Sequence, residues 1–142
     1  MSDFSLRVMT AADVPAGMEL AAAEGWNQTA AGWRLLLSLS PDGCFVAEAG
    51  GKVVATIVTT PHGRTVAWVG EMLVHPDFRR RGIATALLKK AILRLRSAGI
   101  ETIKLDATAA GREVYRGLGE SYELARRNGQ VRPEDAEPAP AQ

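Results

Sequence analysis

Cysteine and histidine are scarce in this 142-residue chain, which contains one cysteine and two histidines. A single cysteine cannot form an intrachain disulfide, and Cys44, His62 and His75 do not supply the four ligands of a structural zinc site. Cys44 stands in the apolar run 43–47, so we expect a buried core thiol and not a nucleophile. The sequence therefore predicts neither metal nor thiol chemistry.

Long hydrophobic runs are also missing. No apolar stretch approaches the roughly 20 residues that span a bilayer. Residues 1–20 lack the basic start, apolar core and small-residue cleavage site of a signal peptide. These absences predict a cytoplasmic protein that makes no membrane contact.

The net charge is small, at +1, but it is unevenly distributed. Residues 133–142 contain three acidic residues and no basic one, and their proline and alanine content is typical of a flexible tail. The remaining length fits one domain, which we place at residues 1–132. Within it, seven basic residues and no acidic residue fall between positions 79 and 96, so we expect an anion to bind in this stretch.

Hydrophobic periodicity predicts a mixed α/β domain. Strands are expected at 4–9, 44–49, 52–60, 65–75, 101–105 and 122–126. Helices are expected at about 11–23, after Thr10 as the cap, at about 30–39, from about 82 to Gly99, and at about 109–118. The strand, helix and strand within residues 66–105 have the length of a right-handed crossover between parallel strands. The earlier strands are predicted to be antiparallel.

A loop of three arginines leads into the strongest amphipathic helix. Residues 79–84 read Arg-Arg-Arg-Gly-Ile-Ala, which places Gly82 at the start of the helix. The amides of a first helical turn have no partner inside the helix, and the helix dipole adds positive potential there. A glycine allows a phosphate to approach the backbone closely. The glycine patterns of nucleoside-triphosphate loops and dinucleotide folds are absent, so the loop predicts phosphate binding by another route.

The pattern Arg79-x-x-Gly82-x-Ala84, after a strand that ends in Met72-Leu73-Val74, resembles the pyrophosphate-binding motif of the GNAT superfamily of acetyl-CoA-dependent N-acetyltransferases. The resemblance covers roughly residues 4–127. It implies an α/β (α+β) fold whose mixed, mostly antiparallel central sheet has one parallel strand-helix-strand crossover and helices on both faces. It also implies that acetyl-CoA donates an acetyl group directly to a primary amine of an unidentified small molecule or peptide.

The resemblance implies that coenzyme A is held largely by backbone groups. Leu73 and Val74 would pair with the pantetheine arm like an added strand, and the amides from Arg80 to Ala84 would hold the pyrophosphate. Strands 66–75 and 101–106 would separate at a bulge to admit the thioester. The implied cofactor contacts are Met72, Leu73, Val74, Arg79, Arg80, Arg81, Gly82, Ile83, Ala84, Thr85, Thr108 and Gly111.

The transfer also needs proton-transfer groups, because an alkyl amine is almost entirely protonated at neutral pH. Glu71, on the strand beside the implied thioester, is the first candidate for the base, and a solvated carboxylate or an arginine partner is the alternative. His75 is the second candidate, with a surface role as its alternative. The resemblance implies Tyr115 as the acid for the departing thiolate, with packing of the last helix as its alternative. A strand amide near Leu73 would stabilise negative charge on the carbonyl oxygen.

Some positions depart from the family pattern. Thr108 and Gly111 stand where many members have asparagine and alanine, and Glu120 replaces an apolar anchor. The region after Tyr122 is short for two closing strands, which leaves an edge that could pair in a homodimer.

Tryptophans mark the connection between the first two predicted helices. Trp26 and Asn27 are predicted to border the acceptor pocket, whereas Trp33 and Trp68 are expected in the core.

Two other functions remain open from the sequence. One is an acyl-CoA-binding module without catalysis. The other is a nucleic-acid-binding protein, although no aromatic residues are interleaved with the basic ones. The basic residues of the helix fit the solvent face of an amphipathic helix; they are Lys89, Lys90, Arg94 and Arg96. We therefore expect no nucleic-acid partner.

Overall fold

A computed structural model describes residues 4–25, 28–106 and 122–125. The strands are β1 (Ser5–Val8), β2 (Cys44–Ala49), β3 (Lys52–His62), β4 (Val66–Val74), β5 (Thr102–Asp106) and β6 (Tyr122–Ala125). The helices are α1 (Val14–Ala23), α2 (Ala30–Leu39) and α3 (Ile83–Ser97). The predicted helix at 109–118, the domain boundary at 132 and the tail at 133–142 lie outside the described residues.

The six strands form one sheet in the order β1-β2-β3-β4-β5-β6. The pairs from β1 to β4 are antiparallel, and β4 pairs with β5 in parallel through the α3 crossover. These observations confirm the predicted mixed sheet. β6 adds a second parallel pair by joining β5.

The helices cover both faces of the sheet, as predicted. Alternating side chains of β2 illustrate the two cores. Phe45 and Ala47 pack with the apolar face of α3, in what we call the α3 cluster. Cys44 and Val46 pack with α1 and α2, in the α1/α2 cluster. Each strand face therefore buries its own set of apolar residues.

Two element boundaries differ from the predictions. Residues Ala11–Asp13 form a 3-10 turn, and the α-helix begins only at Val14, with Pro15 in its first turn. β3 continues beyond Thr60 because Pro61 pairs with Ala67 of β4. The pairing of β3 with β2 ends at Val58, so the missing N–H of Pro61 faces no strand on that side.

Three single-residue predictions have clear outcomes. Cys44 and Trp33 are fully buried, which confirms their core assignments. Trp68 is only half-buried, and its ring lies beside Lys104 Nζ at 5.8 Å and His62 at 6.3 Å. The prediction of a core Trp68 is wrong: Ala67 and Val69 face the α3 cluster and direct Trp68 to the opposite face, where it lies outside the α1/α2 cluster.

A charged cluster fixes the first strand to the start of α1. Asp13 is 6% exposed and accepts two hydrogen bonds from the guanidinium of Arg7, at 2.7 and 2.8 Å. The Thr10 amide donates to the same carboxylate at 2.8 Å, and Arg7 also contacts Glu48. The hydrogen bonds from Arg7 hold the pKa of Asp13 below its ordinary value.

The basic face of α3 is exposed, as predicted, at Lys89, Lys90 and Arg94. Tertiary structure brings acidic and carbonyl groups to this face. Arg94 lies 3.9 Å from the Asp42 carboxylate, and Arg96 donates to the carbonyl oxygens of Ile100 and Glu101 at 3.0 and 2.6 Å. The local basic excess is therefore partly balanced by the fold.

Candidate active site

A β-bulge interrupts β4 at Glu71. Val58 of β3 pairs with Gly70, and Thr56 pairs with Leu73, so one residue of β3 opposes two residues of β4. The extra residue shifts the alternation of the β4 side chains. Ala67 and Val69 face the α3 cluster before the bulge, and Met72 and Val74 face it after the bulge. Glu71 has a φ of 48°, a left-handed conformation that is unfavourable for a residue with a side chain.

The described pairing of β4 with β5 ends before this bulge, and we call the β5 side of β4 beyond that point the gap. Their parallel pairing runs from Val66 with Thr102 to Val69 with Leu105 and then stops, although β4 continues to Val74. In the described part of the sheet, no strand pairs with that last part of β4 on the β5 side. The bulge that the resemblance implied is present, and the separation of the strands stays a prediction because residues 107–121 lie outside the described ranges.

The register shows which backbone groups face the gap. The amide of His75 donates to the Val54 carbonyl at 2.8 Å, and bonded pairs alternate with non-bonded pairs in an antiparallel ladder. Leu73 therefore directs its backbone groups to Thr56 of β3, and Met72 and Val74 direct theirs to the gap. This register moves the implied backbone pairing from Leu73 to its two neighbours, and Leu73 itself is a buried member of the α1/α2 cluster.

Two residues that the sequence did not indicate hold Glu71. Gln28 Nε2 donates to Glu71 Oε1 at 2.8 Å, across 43 residues of sequence. The hydroxyl of Thr56, which is fully buried, donates to the Glu71 carbonyl oxygen at 2.8 Å. Glu71 is half-buried, and the amide of Gln28 is one contact of its carboxylate.

The arginine loop forms a concave backbone at the start of α3. Arg80 and Gly82 both adopt left-handed conformations, with φ values of 63° and 81°. Arg81, which lies between them, does not have a positive φ. Left-handed residues that alternate with other conformations turn successive N–H groups toward a shared concavity that can bind an anion. Among the described residues no side chain caps α3, and its first turn contains no acidic residue. A Cβ at Gly82 would meet no heavy atom within 4 Å, so this cradle is open above the glycine.

The three arginines of the loop have different surroundings. Arg79 forms an ion pair with Glu24 after α1, and its Nε lies 3.4 Å from the Val74 carbonyl oxygen. The Arg81 guanidinium lies 4.9 Å from the centroid of the Phe78 ring. Arg80 is exposed, and within the described ranges no ion pair engages it. The first helical turn adds the amides of Ile83, Ala84 and Thr85 to the same place.

The remaining site predictions have mixed outcomes. His75 Nδ1 accepts the Asp77 amide at 3.1 Å, so this imidazole caps the turn after β4. Trp26, Asn27, Thr108, Gly111 and Tyr115 lie outside the described residues. Among those described, no three His, Cys, Asp or Glu side chains cluster as a metal site. No helix in the described ranges is both long and apolar enough to cross a bilayer.

Comparison with known families identifies this arrangement. Residues 14–119 match the model of the acetyltransferase (GNAT) family, well over half of the chain. The chain belongs to the GNAT family. An uncharacterised N-acetyltransferase of Methanocaldococcus jannaschii is 34% identical over 96 residues, which are 61% of this chain and 42% of that protein. This GNAT chain spans about half the length of the curated relatives it matches.

Solved GNAT structures share the fold. Ard1 of Thermoplasma volcanium superimposes with a TM-score of 0.73 at 23% identity, covering 82% of this chain and 79% of that one. Diaminobutyrate acetyltransferase EctA of Paenibacillus lautus, solved with L-2,4-diaminobutyric acid and coenzyme A, gives 0.72 at 23% identity, with coverages of 84% and 76%. At these identities, the likeness supports the GNAT fold and not a particular substrate.

Proposed function

We propose that this GNAT chain is an N-acetyltransferase that moves the acetyl group of acetyl-CoA directly to a primary amine. The observation that carries the proposal is the Glu71 bulge, beside which the described β4–β5 pairing ends and leaves the gap on that side of β4. The gap lies beside the uncapped start of α3 and presents backbone groups of Met72 and Val74. One ligand with an extended amide-bearing arm and a diphosphate would use both features, and coenzyme A has both parts.

The proposed cofactor contacts follow from this geometry. Backbone groups of Met72 and Val74 pair with the arm, and the loop amides from Arg80 to Ala84 hold the diphosphate. The exposed Arg80 side chain meets a phosphate, whereas Arg79 is engaged by Glu24. Thr108 and Gly111 remain proposed contacts from the family resemblance. Acetyl-CoA supplies an activated acetyl group as a thioester when it is bound.

The proposed proton acceptor is Glu71. An amine with a pKa near 10.4 is neutral in only about one molecule in 2,500 at pH 7, which corresponds to a handicap of about 4.6 kcal/mol. A half-buried carboxylate at the bulge is placed to take this proton, directly or through a water molecule. Tyr115 is the proposed donor of a proton to the departing thiolate.

Direct transfer is supported by the state of the only thiol. Cys44 is fully buried in the α1/α2 cluster, and burial raises the pKa of its thiol to about 11. A thiol of this kind is a poor nucleophile at neutral pH. We therefore propose that the amine attacks the acetyl group without an acetylated enzyme. The proposed acceptor pocket lies near Gln28 and includes Trp26 and Asn27.

Calorimetry and a transfer assay test the proposal together. The full chain should bind acetyl-CoA, and a panel of amino acids, polyamines, aminoglycosides and peptides should contain an acceptor that releases coenzyme A. Mass spectrometry should find the acetyl group on the amine. Cofactor binding with a silent panel would favour a binding module without catalysis, and binding of nucleic acid without acetyl-CoA would refute the proposal.

A further inference from the structure

Glu71 is held at both its backbone and its carboxylate. Its φ of 48° is a conformation that glycine would adopt without strain, yet the position has a long acidic side chain. Thr56 Oγ1 donates to its carbonyl oxygen at 2.8 Å and so fixes the main chain of the bulge. The glutamate side chain has three rotatable bonds beyond this point. Its direction is therefore determined by what contacts the carboxylate.

One contact of the carboxylate is the amide of Gln28. Its Nε2 lies 2.8 Å from Glu71 Oε1, and both residues are half-buried, which shields the hydrogen bond from water. A glutamine side chain is neutral, so it can orient a carboxylate without forming an ion pair that would strongly oppose protonation. An arginine or lysine at this position would hold the carboxylate more tightly but would make it a weaker base.

Gln28 is itself fixed by the fold. It immediately precedes Thr29, the N-cap of α2, whose hydroxyl accepts the Gly32 amide at 3.0 Å. At the other end of the connection from α1, Glu24 pairs with Arg79 of the loop before α3. Described contacts thus hold the residue that follows Gln28 and the end of α1 that precedes the connection.

From these contacts we infer that Gln28 is a positioning residue for acetyl transfer, which orients the Glu71 carboxylate toward the acceptor amine. The inference rests on the proposed function, because it assigns Glu71 a proton to take. Gln28 does not itself bond to a reacting atom. It acts through Glu71, and its loss should lower turnover and leave the binding of acetyl-CoA intact.

Two variants of similar size remove the donor in different ways. Gln28→Met has no hydrogen-bonding group, and Gln28→Glu places a second carboxylate beside Glu71. Both should lower kcat by roughly 10- to 100-fold, the range expected when a reacting group is misplaced by about 1 Å. The Kd for acetyl-CoA should change little. If Gln28→Glu fails to fold, Gln28→Met still decides the question.

Thr29→Ala is the matched control. It removes the cap of α2 at the adjacent residue and should lower stability measurably. It keeps the Gln28 amide as a donor, so kcat should fall by much less than in Gln28→Met. A loss of kcat in Thr29→Ala as large as in Gln28→Met would show that general loosening of the segment is responsible, and it would overturn the inference.

The swapped pair separates positioning from stability. Gln28→Glu combined with Glu71→Gln restores a hydrogen bond with its donor and acceptor exchanged. The urea midpoint of the double variant should exceed the value expected from adding the single effects. Its kcat should remain low because the base has moved. Additive midpoints, or an unchanged kcat in Gln28→Met while the unmodified protein is active, would refute the inference and leave the proposed function standing. An unmodified protein that binds acetyl-CoA but acetylates no amine would refute the proposed function, and this inference with it.

Discussion

Gly82 and Gly99, at the two ends of α3, offer a matched test of the diphosphate cradle. Both have left-handed backbones, with φ values of 81° and 90°. A Cβ at either position would meet no heavy atom within 4 Å. Substitution by alanine therefore adds backbone strain and no steric clash at either end. Only Gly82 lies at the uncapped N-terminus of the helix.

The expected magnitudes differ for stability and for binding. Each alanine should cost about 1–2 kcal/mol of unfolding free energy. For a chain of this size, the melting temperature should fall by roughly 3–5 °C for each kcal/mol. The hydrogen bond from an amide to a charged oxygen is worth about 1.5–3 kcal/mol. Misplacing one such amide in Gly82→Ala should weaken acetyl-CoA binding by roughly 10- to 100-fold.

Calorimetry and thermal unfolding would measure both quantities on the same samples. Gly82→Ala and Gly99→Ala should lose similar stability, and only Gly82→Ala should lose affinity for acetyl-CoA. Equal affinity losses in both variants would mean that strain in α3, and not the cradle, controls binding. Unchanged affinity in Gly82→Ala would refute the placement of the diphosphate.

Three further substitutions test other parts of the argument. Tyr115→Phe should reduce kcat far more than acetyl-CoA affinity, and equal losses measured by steady-state kinetics and calorimetry would contradict its role as an acid. Cys44→Ala should retain transfer, because no acetylated thiol is needed; loss of all activity in a folded variant would argue for a covalent route. Asp13→Asn should lower the free energy of unfolding by about 1–2 kcal/mol at pH 7. This value is kept small because Arg7 is partly exposed to solvent, which screens the ion pair. Since the pKa of Asp13 is lowered in the folded protein, its contribution is present above the unfolded pKa of about 3.9 and is lost as the pH falls through the lowered value. Urea unfolding should therefore show that Asp13→Asn loses less unfolding free energy between pH 7 and pH 3 than the unmodified protein does. An equal loss in the two proteins would contradict this account.

Much of the fold could be predicted from local patterns. The apolar spacing of α3, the glycine turn between β2 and β3, and the crossover length between β4 and β5 are all properties of short segments. The start of α3 at Gly82 was equally local, because a positive φ, a helix start and neighbouring arginines occupy a few consecutive residues. These features depend on contacts within one or two turns of the chain.

The arrangement of the candidate site depended on tertiary structure. No local pattern distinguishes Glu71 from another strand residue, because the bulge exists only through the pairing of β4 with β3. The Gln28–Glu71 and Glu24–Arg79 contacts join residues 43 and 55 positions apart. The predicted burial of Trp68 was wrong for the same reason, since the register of the sheet decides which face of β4 this side chain lies on.

The sequence alone thus determined the order of the described helices and strands and the start of α3 at a glycine after three arginines. Both follow from backbone preferences and periodicity over short distances. Tertiary structure alone decided where the bulge in β4 lies, which backbone groups of β4 turn away from β3, and that Gln28 contacts the Glu71 carboxylate. These features depend on how distant segments pack. A shift of one residue in the register of β4 would turn its side chains and its backbone groups to the opposite direction.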